Sequence, residues 1–181
     1  MRTIAVIDIG KTTAKLVLLD AADGSEIAVR TRANRVLNEG LYPHADVEGL
    51  FEFIVAALKS FAQQHPLSAI SITTHGATAA LLADKHLALP VLDYEHAGPD
   101  DLRAAYAEVR PEFSESLSPH LPAGLNLGAQ LYWQSHRFPD QFRQVTTILT
   151  YAQFWAFRLT GHRVGALLTS PARLDEVEKY I

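Results

Sequence analysis

The chain contains no cysteine, which excludes disulfides, thiolate zinc sites and a cysteine nucleophile within it and suits a reducing compartment. It has no run of lysine and arginine, and its formal net charge is -4, so nothing marks a nucleic-acid or anionic-membrane binder. No apolar run approaches the ~20 residues that span a bilayer. Residues 1–8 lack the long apolar stretch and small-residue cleavage site of a secretory signal, and a cytoplasmic location is the expectation. The eight histidines are scattered, with neither HExxH nor HxxxH spacing. Internal repeats, low-complexity stretches and linkers are also absent. What is there is ordinary for a globular domain: 181 residues, 48% hydrophobic and 20% charged, enough to bury a core.

The pattern along the chain is strands first, then alternation. Residues 4–7 are a continuous apolar run ending in Asp8 and Gly10, which reads as a buried strand closing in a tight turn. Residues 14–20 and 26–31 are two more β-rich runs, separated by the turn signal Asp23-Gly24. Together they predict an antiparallel β-meander. Asp46 then stands where a helix N-cap belongs, and Val47, Leu50, Phe51, Ile54, Leu58 and Phe61 follow at helical spacing. Residues 69–73 read as a buried strand leading into Thr74-His75-Gly76. Short strands are expected at 81–82 and 87–92, helices over 100–109, 127–136, 139–145 and 152–159, and a strand at 147–149. The stretch 111–124, broken by Pro111, Pro119 and Pro122, should be irregular. Gly161 fits a helix C-cap. This order argues for a layered α/β domain with a mixed sheet.

The segment richest in chemistry is Asp8-Ile9-Gly10-Lys11-Thr12-Thr13-Ala14-Lys15. A strand delivers a carboxylate, a glycine-containing turn presents two hydroxyls, and a second strand leaves at once. Asp8 can hold a divalent metal through water or accept a proton. Gly10 permits close backbone approach by a phosphate, while Lys11, Thr12 and Thr13 offer a cation, hydroxyls and turn amides to phosphate oxygens. Gly10-Lys11-Thr12 also looks like the end of a P-loop. That motif needs a glycine where this chain has Ala5, and a helix where β-branched residues follow Thr13. A plain hairpin with a polar turn would carry the same pattern.

The arrangement resembles the phosphate-binding hairpin of the actin, hexokinase and heat-shock chaperone superfamily. More narrowly it resembles the opening of FGGY-family carbohydrate kinases, in the fuculokinase- and rhamnulokinase-like branch where Gly-Lys-Thr occupies this turn. Four further segments resemble landmarks of that family's N-terminal domain in the expected order. They are Ala69-Ile70-Ser71-Ile72-Thr73-Thr74-His75-Gly76, Pro90-Val91-Leu92-Asp93-Tyr94-Glu95-His96, Gly128-Ala129-Gln130-Leu131-Tyr132-Trp133, and the helix ending Leu159-Thr160-Gly161. The similarity covers about residues 3–165.

The resemblance implies an α/β, ribonuclease H-like domain over 1–165, a mixed sheet starting with the meander and flanked by helices. It implies a kinase using ATP and Mg2+ to phosphorylate a ketose or polyol hydroxyl, the L-fuculose or L-rhamnulose type within this branch. Asp8 would bind metal, and Gly10, Lys11, Thr12 and Thr13 phosphate. Thr74, His75, Asp93 and Glu95 would bind the small sugar substrate, with His96 as a further polar group and Tyr94 or Trp133 as an apolar wall. His75, Glu95 and His96 read equally as loop residues and Trp133 as core.

The similarity dissolves after Gly165, where the family's catalytic aspartate would stand. Asp175 is the aspartate left there, within a terminal acidic helix, and no base is recognisable over 166–181. The second, ATP-binding domain is also absent from the chain. Such kinases close two domains over their reactants, so the expectation for this chain alone is weak sugar binding at best and little or no turnover. Its missing partner is the C-terminal kinase domain, and apolar pairs such as Leu167-Leu168 and Tyr180-Ile181 would favour a homodimer. Two other readings stand beside this one: a catalytically inactive sugar-binding or regulatory module, and an actin- or chaperone-like assembly domain on the same fold.

Overall fold

The structure is a computed structural model that describes residues 2–163. The calls made on Leu167-Leu168, Asp175 and Tyr180-Ile181 lie outside the described residues. The chain divides into two compact units, one formed by residues 2–37 and 45–75, the other by 38–44 and 76–163.

The first unit opens with the expected meander: β1 (Thr3–Ile9), β2 (Thr13–Asp20) and β3 (Glu26–Ala33). In β1 burial alternates, because successive side chains point to opposite faces. Ala5, Ile7 and Ile9 are fully buried, and antiparallel pairing sets Ile7 opposite Leu16 and Ile9 opposite Ala14. Gly24, with φ +74°, closes the turn between β2 and β3. Two-residue strands β4 (Val36–Leu37) and β5 (His44–Ala45) lie where the chain leaves this unit and returns.

Helix α1 (Val47–Gln64) follows and packs on β2 and β3. Its buried stripe is Val47, Leu50, Ile54, Ala57 and Phe61, so Ala57 joins the expected positions while Phe51 and Leu58 stay half-buried. Asp46 caps it as expected, accepting from the Gly49 amide at 3.0 Å. Arg32 on β3 donates to the other Asp46 oxygen at 2.5 Å, so one carboxylate ties the helix start to the sheet.

Strand β6 (Leu67–Thr74) then pairs parallel with β1, giving the order β3-β2-β1-β6 and the mixed sheet expected. The difference lies in its burial. The apolar, β-branched run 69–73 reads as an interior strand, yet β6 is an outer strand with Ser68, Ala69, Ile70, Ser71 and Thr73 exposed. Composition reports what a strand could bury, whereas position in the sheet decides what it does bury.

In the second unit, β7 (Ala79–Ala83), β8 (His86–Leu87) and β9 (Thr147–Thr150) form a separate antiparallel sheet of order β8-β7-β9. A 3-10 turn (Gly98–Leu102) runs into α2 (Arg103–Val109). The proline-broken stretch is irregular apart from one turn of helix, α3 (Phe113–Ser116). Then come α4 (Leu127–Arg137), α5 (Pro139–Phe142) and α6 (Tyr151–Thr160). The core gathers Tyr42, Leu81, Leu92, Leu131, Trp133, Phe142 and Ile148. At α6 the C-terminal end was legible, and the N-terminal cap was not. Thr150 and Gln153 form a capping box, and Gly161 ends the helix at φ +74°.

Candidate phosphate- and sugar-binding site

The hairpin turn stands at the C-terminal ends of β1 and β6, the end of an open α/β sheet where ligands characteristically bind. The Gly10 amide donates to Thr13 O at 3.0 Å, closing the turn. A Cβ on Gly10 would come within 3.2 Å of that same oxygen, so the tight turn and the glycine go together. Thr12 and Thr13 are exposed at its tip, and Lys11 is half-buried. Asp8 projects from the opposite face to Ile7 and Ile9 and is exposed, with Lys15 across from it on β2 and Thr73 on β6.

Asn34 holds this turn from outside. Its amide nitrogen Nδ2 donates to Gly10 O at 2.7 Å, and its backbone N–H donates to Thr12 O at 2.9 Å. Sequence reading missed it, since an asparagine just past a strand signals a local turn and nothing in its spacing points to residues 10–12. Thr74 and His75 continue β6 beside the hairpin. The His75 amide donates to Ile9 O at 3.4 Å, and Thr74 Oγ1 donates to His75 O at 3.0 Å. One unit therefore brings Asp8, the 10–13 turn, Thr74 and His75 to one sheet end.

Asp93 and Glu95 belong to the other unit, in the loop between β8 and the 3-10 turn. There Asp93 organises its own turn: Oδ1 accepts from the Glu95 amide at 3.3 Å, and its carbonyl accepts from the His96 amide at 2.9 Å. His96 meets Trp133 edge-on at 5.4 Å, and Trp133 is buried as core. The loop is anchored at both flanks. The Asp93 amide donates to Pro43 O, and the Gly124 amide donates to Tyr94 O.

Buried Gln130 on α4 then links Gly124 to the segment leaving β6, its Nε2 donating to Gly124 O and to Ala77 O. One turn further along α4 a second polar chain begins. Gln134 Nε2 donates to the Tyr42 hydroxyl at 2.8 Å, and that hydroxyl donates to Pro90 O at 2.8 Å, three residues before Asp93. Burial pushes the Tyr42 phenol well up, against the Gln134 hydrogen bond.

Among the described residues there is no group of three or more His, Asp or Glu side chains that could hold a metal by themselves. A magnesium ion carried by a phosphate ligand keeps waters and phosphate oxygens as most of its ligands and needs as little as one carboxylate from the protein. Asp8 fits that role.

No protein-family profile matches the chain, and no curated protein matches it either. Solved structures do. A carbohydrate kinase from Novosphingobium aromaticivorans aligns at TM-score 0.81 and 37% identity over 88% of this chain and 34% of its own. A ligand-bound xylulose kinase from Lactobacillus acidophilus aligns at TM-score 0.76 and 17% identity over 90% and 34%. A glycerol kinase from Plasmodium falciparum, solved with ADP, aligns at 0.71 and 12% over 89% and 35%. The fold of these residues is thus one shared with carbohydrate kinases. The chain spans about a third of the length of the kinases it matches.

Proposed function

We propose that this chain is the N-terminal, sugar-binding part of an FGGY-type carbohydrate kinase, which transfers the ATP γ-phosphoryl group to a ketose or polyol hydroxyl. The observation that carries the reading is the hairpin. An exposed carboxylate, a glycine-closed turn and two exposed threonines sit at the end of β1, braced by Asn34, in a fold shared with a carbohydrate kinase 37% identical to it.

Each residue has a role that its chemistry permits. Asp8 holds the magnesium that accompanies the nucleotide and offsets phosphate charge. Gly10 lets phosphate oxygens approach the backbone, and Lys11, Thr12 and Thr13 donate to them. Thr74, His75, Asp93 and Glu95 hydrogen-bond the sugar hydroxyls. A base is still needed to deprotonate the attacking hydroxyl, and no described residue is assigned to it. An L-fuculose- or L-rhamnulose-type ketose is the substrate class within this reading.

Calorimetric titration of the purified 181-residue chain with L-fuculose, L-rhamnulose, D-xylulose and glycerol tests the sugar site. One ketose is expected to bind in the range of about 1 mM, near -4 kcal/mol, with binding lost in Asp93→Ala. A folded chain that binds none of them would sink the sugar site. In a coupled assay of ADP release, no sugar-dependent turnover is expected from this chain alone, and steady turnover would refute that part.

A further inference from the structure

Asn34 is the first residue past β3, is half-buried, and lies 24 positions from Gly10 in sequence. It grips the hairpin turn at two points, Nδ2 on Gly10 O at 2.7 Å and the backbone N–H on Thr12 O at 2.9 Å. These peptides are planar and trans, so a C=O and the N–H of the following residue point opposite ways. Gly10 O shares its peptide with the Lys11 amide, and Thr12 O shares its peptide with the Thr13 amide. Drawing both carbonyls toward Asn34 therefore turns both amides away from it. The bond from the Gly10 amide to Thr13 O fixes the other end of the turn. Three hydrogen bonds thus set the peptide planes of a turn whose tip, Thr12 and Thr13, is exposed. Ordering a loose backbone opposes binding, and a turn ordered in advance avoids that loss.

We infer that Asn34 is a positioning residue for phosphate. By fixing the carbonyls of Gly10 and Thr12 it presents the Lys11 and Thr13 amides, already oriented, to the phosphate oxygens that the turn accepts. This rests on the kinase reading of the hairpin and adds to it a residue that touches no ligand and acts through the backbone. The chemistry of the side chain suits the place. An asparagine donates to Gly10 O without bringing a charge. An aspartate of the same shape would face that oxygen with no donor and would set a negative charge near the phosphate.

Proton–nitrogen correlation spectra of the 181-residue chain, titrated with magnesium tripolyphosphate near neutral pH, test this. The wild-type amides of residues 11–13 should shift along one binding curve. In Asn34→Ala that curve should weaken about 5- to 10-fold, and in Asn34→Asp at least as much. A folded Asn34→Ala with a lower melting temperature and an unchanged dissociation constant would overturn the inference and leave the kinase reading standing. Wild-type amides 11–13 that never shift would overturn both. The wild-type chain decides the matter if neither variant folds. A coupling across the hydrogen bond from Asn34 Nδ2 to the Gly10 carbonyl should persist from the free to the phosphate-saturated chain. Its loss on saturation would overturn the inference, because the turn would then bind phosphate without the brace.

Discussion

Gly49 occupies the first turn of α1, where alanine would ordinarily stabilise a helix by about 1 kcal/mol. Here a methyl group would land on the Asp46 carboxylate and the Arg32 guanidinium. Gly49→Ala is therefore expected to destabilise by about 1–2 kcal/mol through loss of the cap, as measured by urea unfolding; a gain would show that the cap can shift freely. Asp46 itself responds to pH. Burial pushes its carboxyl up, but the hydrogen bonds from Arg32 and the Gly49 amide, with the charges of Arg32 and Arg35, outweigh it and hold the group below its ordinary value of 3.8. A carboxyl lowered by folding contributes stability above its unfolded pKa and loses it as pH falls through the folded one. Unfolding free energy should then drop as pH falls below about 4, and Asp46→Asn should remove that part of the drop. A variant with the same acid profile as wild type would refute the assignment.

At the scale of elements, the legible parts were those whose signals are local. The α1 cap and stripe, the Gly161 stop and the tight Asp8–Thr13 turn each lie within one stretch of sequence, and each is found where it was expected. β6 was misread because its neighbours come from elsewhere in the chain. The polar ties had no local signature either: Gln134 and Tyr42 are 92 positions apart, and Gln130 and Ala77 are 53 apart. Such ties are costly to break by halves. Tyr42→Phe leaves half-buried Pro90 O and buried Gln134 Nε2 without the hydroxyl between them, and should destabilise by about 1–3 kcal/mol in thermal or urea unfolding. Gln134→Leu added to it should recover part of that loss, because the stranded donor goes too. If the double variant is as unstable as the sum of the singles, the two side chains do not act together.

For the whole molecule, a mixed α/β domain was legible from the order of strands and helices, and the tight hairpin turn from one short motif. The division into two units was not, since no change of composition marks residues 37, 44 or 75. Nor does one unit hold every candidate: Asp8, Gly10, Lys11, Thr12, Thr13, Thr74 and His75 sit in the first, Asp93 and Glu95 in the second. The chain passes from one unit to the other three times, and residues 38–44 are the short stretch that the second unit takes from the middle of the first. That stretch carries Tyr42, a member of the second unit's core and the centre of its Gln134–Pro90 tie. A gene cut at 75 would therefore strand Tyr42 on the wrong piece and leave a hole in the other. The two units are stitched rather than strung, so they can be inherited, shuffled or trimmed only as a pair.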